Sequence, residues 1–217
     1  MTAVFHVVLP ILLIGGAMIT SPLFVPGEVL VHFVSGSAGN SAVEKAIRVT
    51  PPDLQALASV VEELQAATRI PLKATRVSSG NWVVLNVEPG PLVDRAAGYL
   101  RVRKNIESVE VVALEPPSQG LIPRQKELQV RFTSRSPESV IVSKRMSGAE
   151  KKPFERLVSE LSEALGLPLK GYVQERNLLL LEIDLKALTP ILVERLKTLP
   201  DVEFAQPNYR AGFRPSP

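Results

Sequence analysis

Apolar and polar positions along this chain follow one pattern, written twice. EVLVHF, from Glu28 to Phe33, alternates Val, Leu and Phe with other residues, and ELQVRF, from Glu127 to Phe132, does the same. Each predicts a half-buried strand. Amphipathic stripes follow: Leu54, Leu57, Val61 and Leu64 in the first copy, and Phe154, Leu157, Val158, Leu161 and Leu165 in the second. Their spacing puts one apolar face on a helix. Pro52 and Pro153 fall near the helix starts, where a missing N–H costs nothing. The stripes stop at IPLKA (70–74) and LPLKG (167–171), because the residue before a proline is steered out of helical geometry.

NWVVLNV (81–87) and NLLLLEI (177–183) then predict strands. A second stripe follows, Leu92, Ala96 and Leu100 in one copy and Leu188, Leu192 and Leu196 in the other. The closing strands are SVEVVALEPP (108–117) and DVEFAQPNY (201–209). The expected fold class is α+β: two tandem ferredoxin-like βαββαβ domains, each a four-stranded antiparallel sheet with two helices on one face. The expected boundaries are 25–118 for the first domain, 119–125 for a linker, 126–209 for the second domain and 210–217 for an extended tail. Pro116, Pro117, Gly120 and Pro123 give the joining region the composition of a short stiff connection. The long connections Val34 to Pro51 and Thr133 to Lys152 receive no assignment from the pattern.

With the helices on one side of each sheet, Val83, Leu85, Val87, Leu179, Leu181 and Ile183 face them. Trp82, Val84, Leu178 and Leu180 are then left on the other face, which either the sister domain or another protein must cover.

Residues 1–24 are set apart by having no Asp, Glu, Lys or Arg. The segment reads as a signal peptide or an N-terminal anchor, which makes the protein exported, secreted or periplasmic, with membrane anchoring through 1–24 as the variant. A net charge of +3, with Lys and Arg scattered among Asp and Glu, describes a mixed solvated surface and not a nucleic-acid-binding one. The absence of cysteine removes thiolate chemistry and Cys-based zinc sites. Outside the leader the only histidine is His32, mid-strand, where no nucleophilic triad forms around it. Phosphate-binding glycine loops, dinucleotide fingerprints and metal-ligand spacings are missing too, so neither an enzyme nor a cofactor or metal is expected.

The paired E-(V/L)-x-V-x-F strands and the closing VEFAQPNY resemble the propeptides of subtilisin-type proteases and the free-standing inhibitors of that fold. The resemblance covers nearly everything after the leader, twice. It implies a non-enzymatic inhibitor or folding chaperone of a subtilisin-like serine protease, bound by an open sheet face while the C-terminal tail lies in the substrate cleft. The residues it implicates are Phe204, Gln206, Asn208, Tyr209, Ala211, Phe213 and Arg214, with Leu178 and Leu180 on the open face. Gln206 and Asn208 stand where the family often carries carboxylates that cap helices of the protease. Counting from Tyr209 puts Ala211 at the fourth subsite before the scissile bond, Arg214 at the first and Pro215 just after it. Two alternatives stay open: an interaction or structural protein that uses the fold for other binding, and the prodomain part of a truncated subtilase precursor.

Overall fold

A computed structural model describes residues 24–78, 80–113, 126–149, 151–175 and 177–209. Residues 1–23, 114–125 and 210–217, the last with Ala211, Phe213 and Arg214, lie outside these residues. The first repeat supplies β1 (Phe24–Phe33), α1 (Ala38–Ile47), a 3-10 turn (Leu54–Leu57), α2 (Ala58–Thr68), β2 (Leu72–Ser78), β3 (Trp82–Val87), α3 (Pro89–Arg101) and β4 (Ile106–Ala113). The second supplies β5 (Lys126–Phe132), α4 (Pro137–Met146), α5 (Lys151–Leu165), β6 (Leu169–Glu175), β7 (Leu178–Ile183), α6 (Leu185–Lys197) and β8 (Val202–Tyr209). The class is α+β, with two four-stranded antiparallel sheets.

The repeat holds down to single backbone angles. Positive φ recurs at Gly36 and Arg135 after the first strand, at Arg69 and Gly166 after the stripe helix, and at Asn81 and Asn177 in the hairpin before the third strand. Asn at the hairpin sites suits this, since it tolerates left-handed geometry better than most residues.

The two unassigned connections each hold a helix, α1 and α4. Ser37 caps the first, its side chain accepting from the Asn40 N–H, and Ser136 caps the second, accepting from the Ser139 N–H. In the second copy Pro137 at the first helical position and Glu138 in the first turn complete the start signal. The apolar contribution is small, mainly Val43 and Ala46 in one helix and Val142 in the other, so no long stripe announced them.

The strand order departs from the expectation that each copy closes its own sheet. One sheet runs β2-β3-β1-β8 and the other β4-β5-β7-β6, so the closing strands are exchanged between the copies. β8 pairs with β1, with Val31 opposite Ala205, and β4 pairs with β5, with Val109 opposite Val130. The helices move with their strands: α6 packs on β1 and β8, and α3 packs on β4, β5 and β7. The segment 119–125 therefore belongs to a connection between hydrogen-bonded neighbours, since Ala113 stands opposite Lys126. The chain passes from one sheet to the other at Glu88 and Asp184, the single residues between β3 and α3 and between β7 and α6.

Pro207 fits this order because β8 is an edge strand, where a missing N–H breaks no ladder bond on the open side. β1 is irregular at its start, with a register shift between Phe24 and Val29. There Gly27 at φ 82° turns its N–H to Oγ1 of Thr189 on α6, 2.8 Å away. That hydroxyl donates in turn to the Leu185 carbonyl at 2.6 Å. A fully buried threonine thus satisfies a backbone donor of the other repeat. Arg195 on α6 adds a second tie, donating to the Thr68 carbonyl at 2.8 Å.

Buried side chains from both sheets form one continuous cluster, running from Val29, Val31 and Leu85 through Leu192 and Leu196 to Leu128, Val130 and Phe132. Val84 and Leu178 are also buried, but they stand outside that cluster, on the opposite face of their sheets.

Candidate functional site

Strand alternation sorts the first sheet into two faces. Val29, Val31, Val83, Leu85 and Ala205 go to the helices. On the other face the register makes cross-strand rows: Phe204 opposite His32, Gln206 opposite Leu30, Leu30 opposite Val84, and Glu28 opposite Asn86. The His32 and Trp82 rings stand 5.3 Å apart, tilted by 51°. His32 Nδ1 lies 2.9 Å from Oε2 of Glu203. Phe204 is 57% exposed and Tyr209 39%, while Leu30, His32 and Trp82 are half-buried. The result is a row of rings beside Leu30 that the described chain leaves partly open to solvent, with Val84 already buried beneath it.

Next to this row lies a shallow concavity of ≈ 690 Å³, lined by Glu28, Leu30, Arg76, Asn86, Asn208 and Tyr209 among others. Asn208 is buried, and its side-chain N–H donates to Oε2 of Glu28 at 2.6 Å. The bond holds the carboxylate of β1 beside the amide of β8 and leaves further oxygens of both as acceptors.

Of the residues picked out in the sequence, Phe204, Gln206, Asn208 and Tyr209 come together here. Leu178 and Leu180 do not join them: they sit on the outer face of the second sheet, opposite Arg131 and Gln129. Their counterparts in the sheet that holds β8 are Trp82 and Val84, on β3. The residues that sequence reasoning did not assign to the site are Glu28, Leu30 and His32 on β1, Arg76 on β2, and Trp82, Val84 and Asn86 on β3. One signal for those on β1 exists in the chain. The outward positions of β1 are Leu30 and His32, which suit Phe204, whereas those of β5 are Gln129 and Arg131, which suit Glu110 and Ser108 of β4.

The outer face of the second sheet is more acidic. Tyr172 is 48% exposed, and its hydroxyl donates to Oε1 of Glu182 at 2.8 Å. That bond, with burial, raises the tyrosine's own pKa. Glu127 lies one residue before Leu128, whose partner Leu181 is followed by Glu182. Burial, and then the charge of Glu182, push the Glu127 pKa upward. A carboxyl whose pKa rises on folding binds its proton more tightly when folded, so stability falls as pH climbs from the unfolded pKa through the folded one. Glu127→Gln is therefore expected to raise the melting temperature at pH 7 and to leave it unchanged near pH 3.5, as read in paired thermal melts.

No protein-family model, curated protein or solved structure matches the chain.

Proposed function

We propose that the chain is a non-enzymatic protein-binding protein, exported under its N-terminal segment, that inhibits or chaperones a subtilisin-like serine protease through the outer face of the β2-β3-β1-β8 sheet. Each sheet with its helices is, on this reading, a ferredoxin-like unit whose closing helix and strand come from the other repeat. The orders β2-β3-β1-β8 and β4-β5-β7-β6 support that assignment, since position for position both read second, third, first and closing strand when traced from the edge held by β2 or β6.

The observation that carries the reading is the course of β8. This strand brings Phe204 and Gln206 onto an open, ring-rich face, and it runs along the sheet edge to Tyr209 at the rim of the concavity. A partner lying on that face would meet the segment that follows Tyr209, as the family resemblance requires of an inhibitory tail.

Glu28 removes one difficulty. Gln206 and Asn208 lack the charge that favours a helix N-terminus, a loss of roughly 0.3–1 kcal/mol each. The carboxylate held 2.6 Å from Asn208 restores an anion at that point of the face, supplied by β1 instead of β8. With the Asn208 carbonyl oxygen beside it, it can accept the unpaired N–H groups at the start of a partner helix.

The test is a titration of subtilisin-type proteases with the protein and with a version ending at Tyr209. Inhibition by the full chain, weakened in the shortened form, is expected. A panel of such proteases whose activity and refolding yield are unaffected by either form would remove the reading.

A further inference from the structure

We infer that the two repeats are each other's binding partners, and that the covalent link between Ala113 and Lys126 is not needed to hold the folded protein together.

The inference rests on what each half contributes. Residues 24–113 supply three strands of one sheet and one edge strand of the other, and residues 126–209 do the reverse. The contact between the halves is therefore two strand ladders. β1 and β8 pair from Val29–Pro207 to Phe33–Val202, with a register shift after His32, and β4 and β5 pair from Ile106–Phe132 to Ala113–Lys126, with a shift after Ile106. To these are added the faces of two helices, α6 over β1 and α3 over β5 and β7.

Polar groups join in. The Gly27 N–H is satisfied by Thr189, the Thr68 carbonyl by Arg195, and the Thr133 N–H by the Asn105 carbonyl at 3.0 Å. Separating the halves would expose backbone of four strands and the apolar stripes of both exchanged helices. Such a contact resembles a domain core cut in two more than a docking of finished domains.

By contrast the ends that the link joins, Ala113 and Lys126, are already opposite one another in a ladder. The link acts only by keeping the halves at high effective concentration.

The experiment keeps the full chain. A recognition sequence for a specific protease is inserted between residues 113 and 126, the intact protein is purified folded, and it is then cut. The two fragments are expected to elute together at the mass of the uncut chain and to part only in denaturant. The cut protein's melting temperature should rise with protein concentration, while that of the uncut protein stays constant, because folding of the cut form has become an association. Fragments that elute separately, or a cut protein whose melting temperature ignores concentration, would overturn the inference.

Discussion

Expressed alone, residues 126–217 are expected to show no cooperative unfolding transition, whereas the whole chain should unfold in one. The isolated second repeat keeps β5, β6 and β7 but loses β4, the partner of β5 along its whole length. It also loses α3, which lies over β5 and β7, so Leu128, Val130 and Phe132, all nearly fully buried in the whole chain, lose part of their cover. At the same time α6 and β8 have no β1 to pack on. A segment of this size is marginal even with a complete core, because small domains bury a lower fraction of their surface. Thermal and urea melts of the fragment read by circular dichroism check this. A sharp transition from a monomer as steep as its size allows would mean that the second repeat closes a sheet of its own.

Phe132→Ala is expected to lower stability by about 3–5 kcal/mol, the usual cost of deleting a buried aromatic ring. Phe132 is 1% exposed and stands opposite Ile106 of the exchanged β4, so its truncation removes packing at the contact between the two repeats. For a chain of this length the melting temperature should drop by roughly 6–20 °C. The informative part is where the change is read. Trp82 is the only tryptophan, and it sits on the other sheet. With one continuous core, its fluorescence transition must shift as far as the circular dichroism of the whole protein. A fluorescence midpoint that stays in place while the dichroism moves would show two independently folding sheets.

Much of the architecture could be read from the chain because the repeat is long and its punctuation is strong. Proline after each stripe helix, Asn at each hairpin and period-two strands all act locally, and the structure places strands and helices where these signals fall. The capping serines Ser37 and Ser136 were equally local, but the helices they start carry too few apolar residues to be recognised by periodicity. Strand exchange is a different kind of information. EVLVHF and ELQVRF present the same inward alternation, so either can accept either closing strand on the core face. Only the outward residues discriminate, with Phe204 opposite His32 and Gln206 opposite Leu30 while Glu110 is opposite Gln129, and those preferences are each a fraction of a kcal/mol to about 1 kcal/mol. The same ambiguity explains the candidate site. The resemblance implicated Phe204, Gln206, Asn208 and Tyr209 through their own stretch, but the face around them comes from the first repeat, and Leu178 and Leu180 belong to the other sheet.

The claim that the docking face is composite is tested most directly by repeating the protease titration with three substituted proteins. Trp82→Ala in the first repeat and Phe204→Ala in the second should each weaken inhibition by about 30-fold, the roughly 2 kcal/mol typical of a central anchor. Phe204 is more than half exposed, so its removal should leave the melting temperature nearly unchanged. Leu180→Asp, on the outer face of the second sheet, should leave inhibition as it was. A loss with Leu180→Asp that equals or exceeds the other two, or full inhibition by the Trp82 and Phe204 variants, would contradict the account.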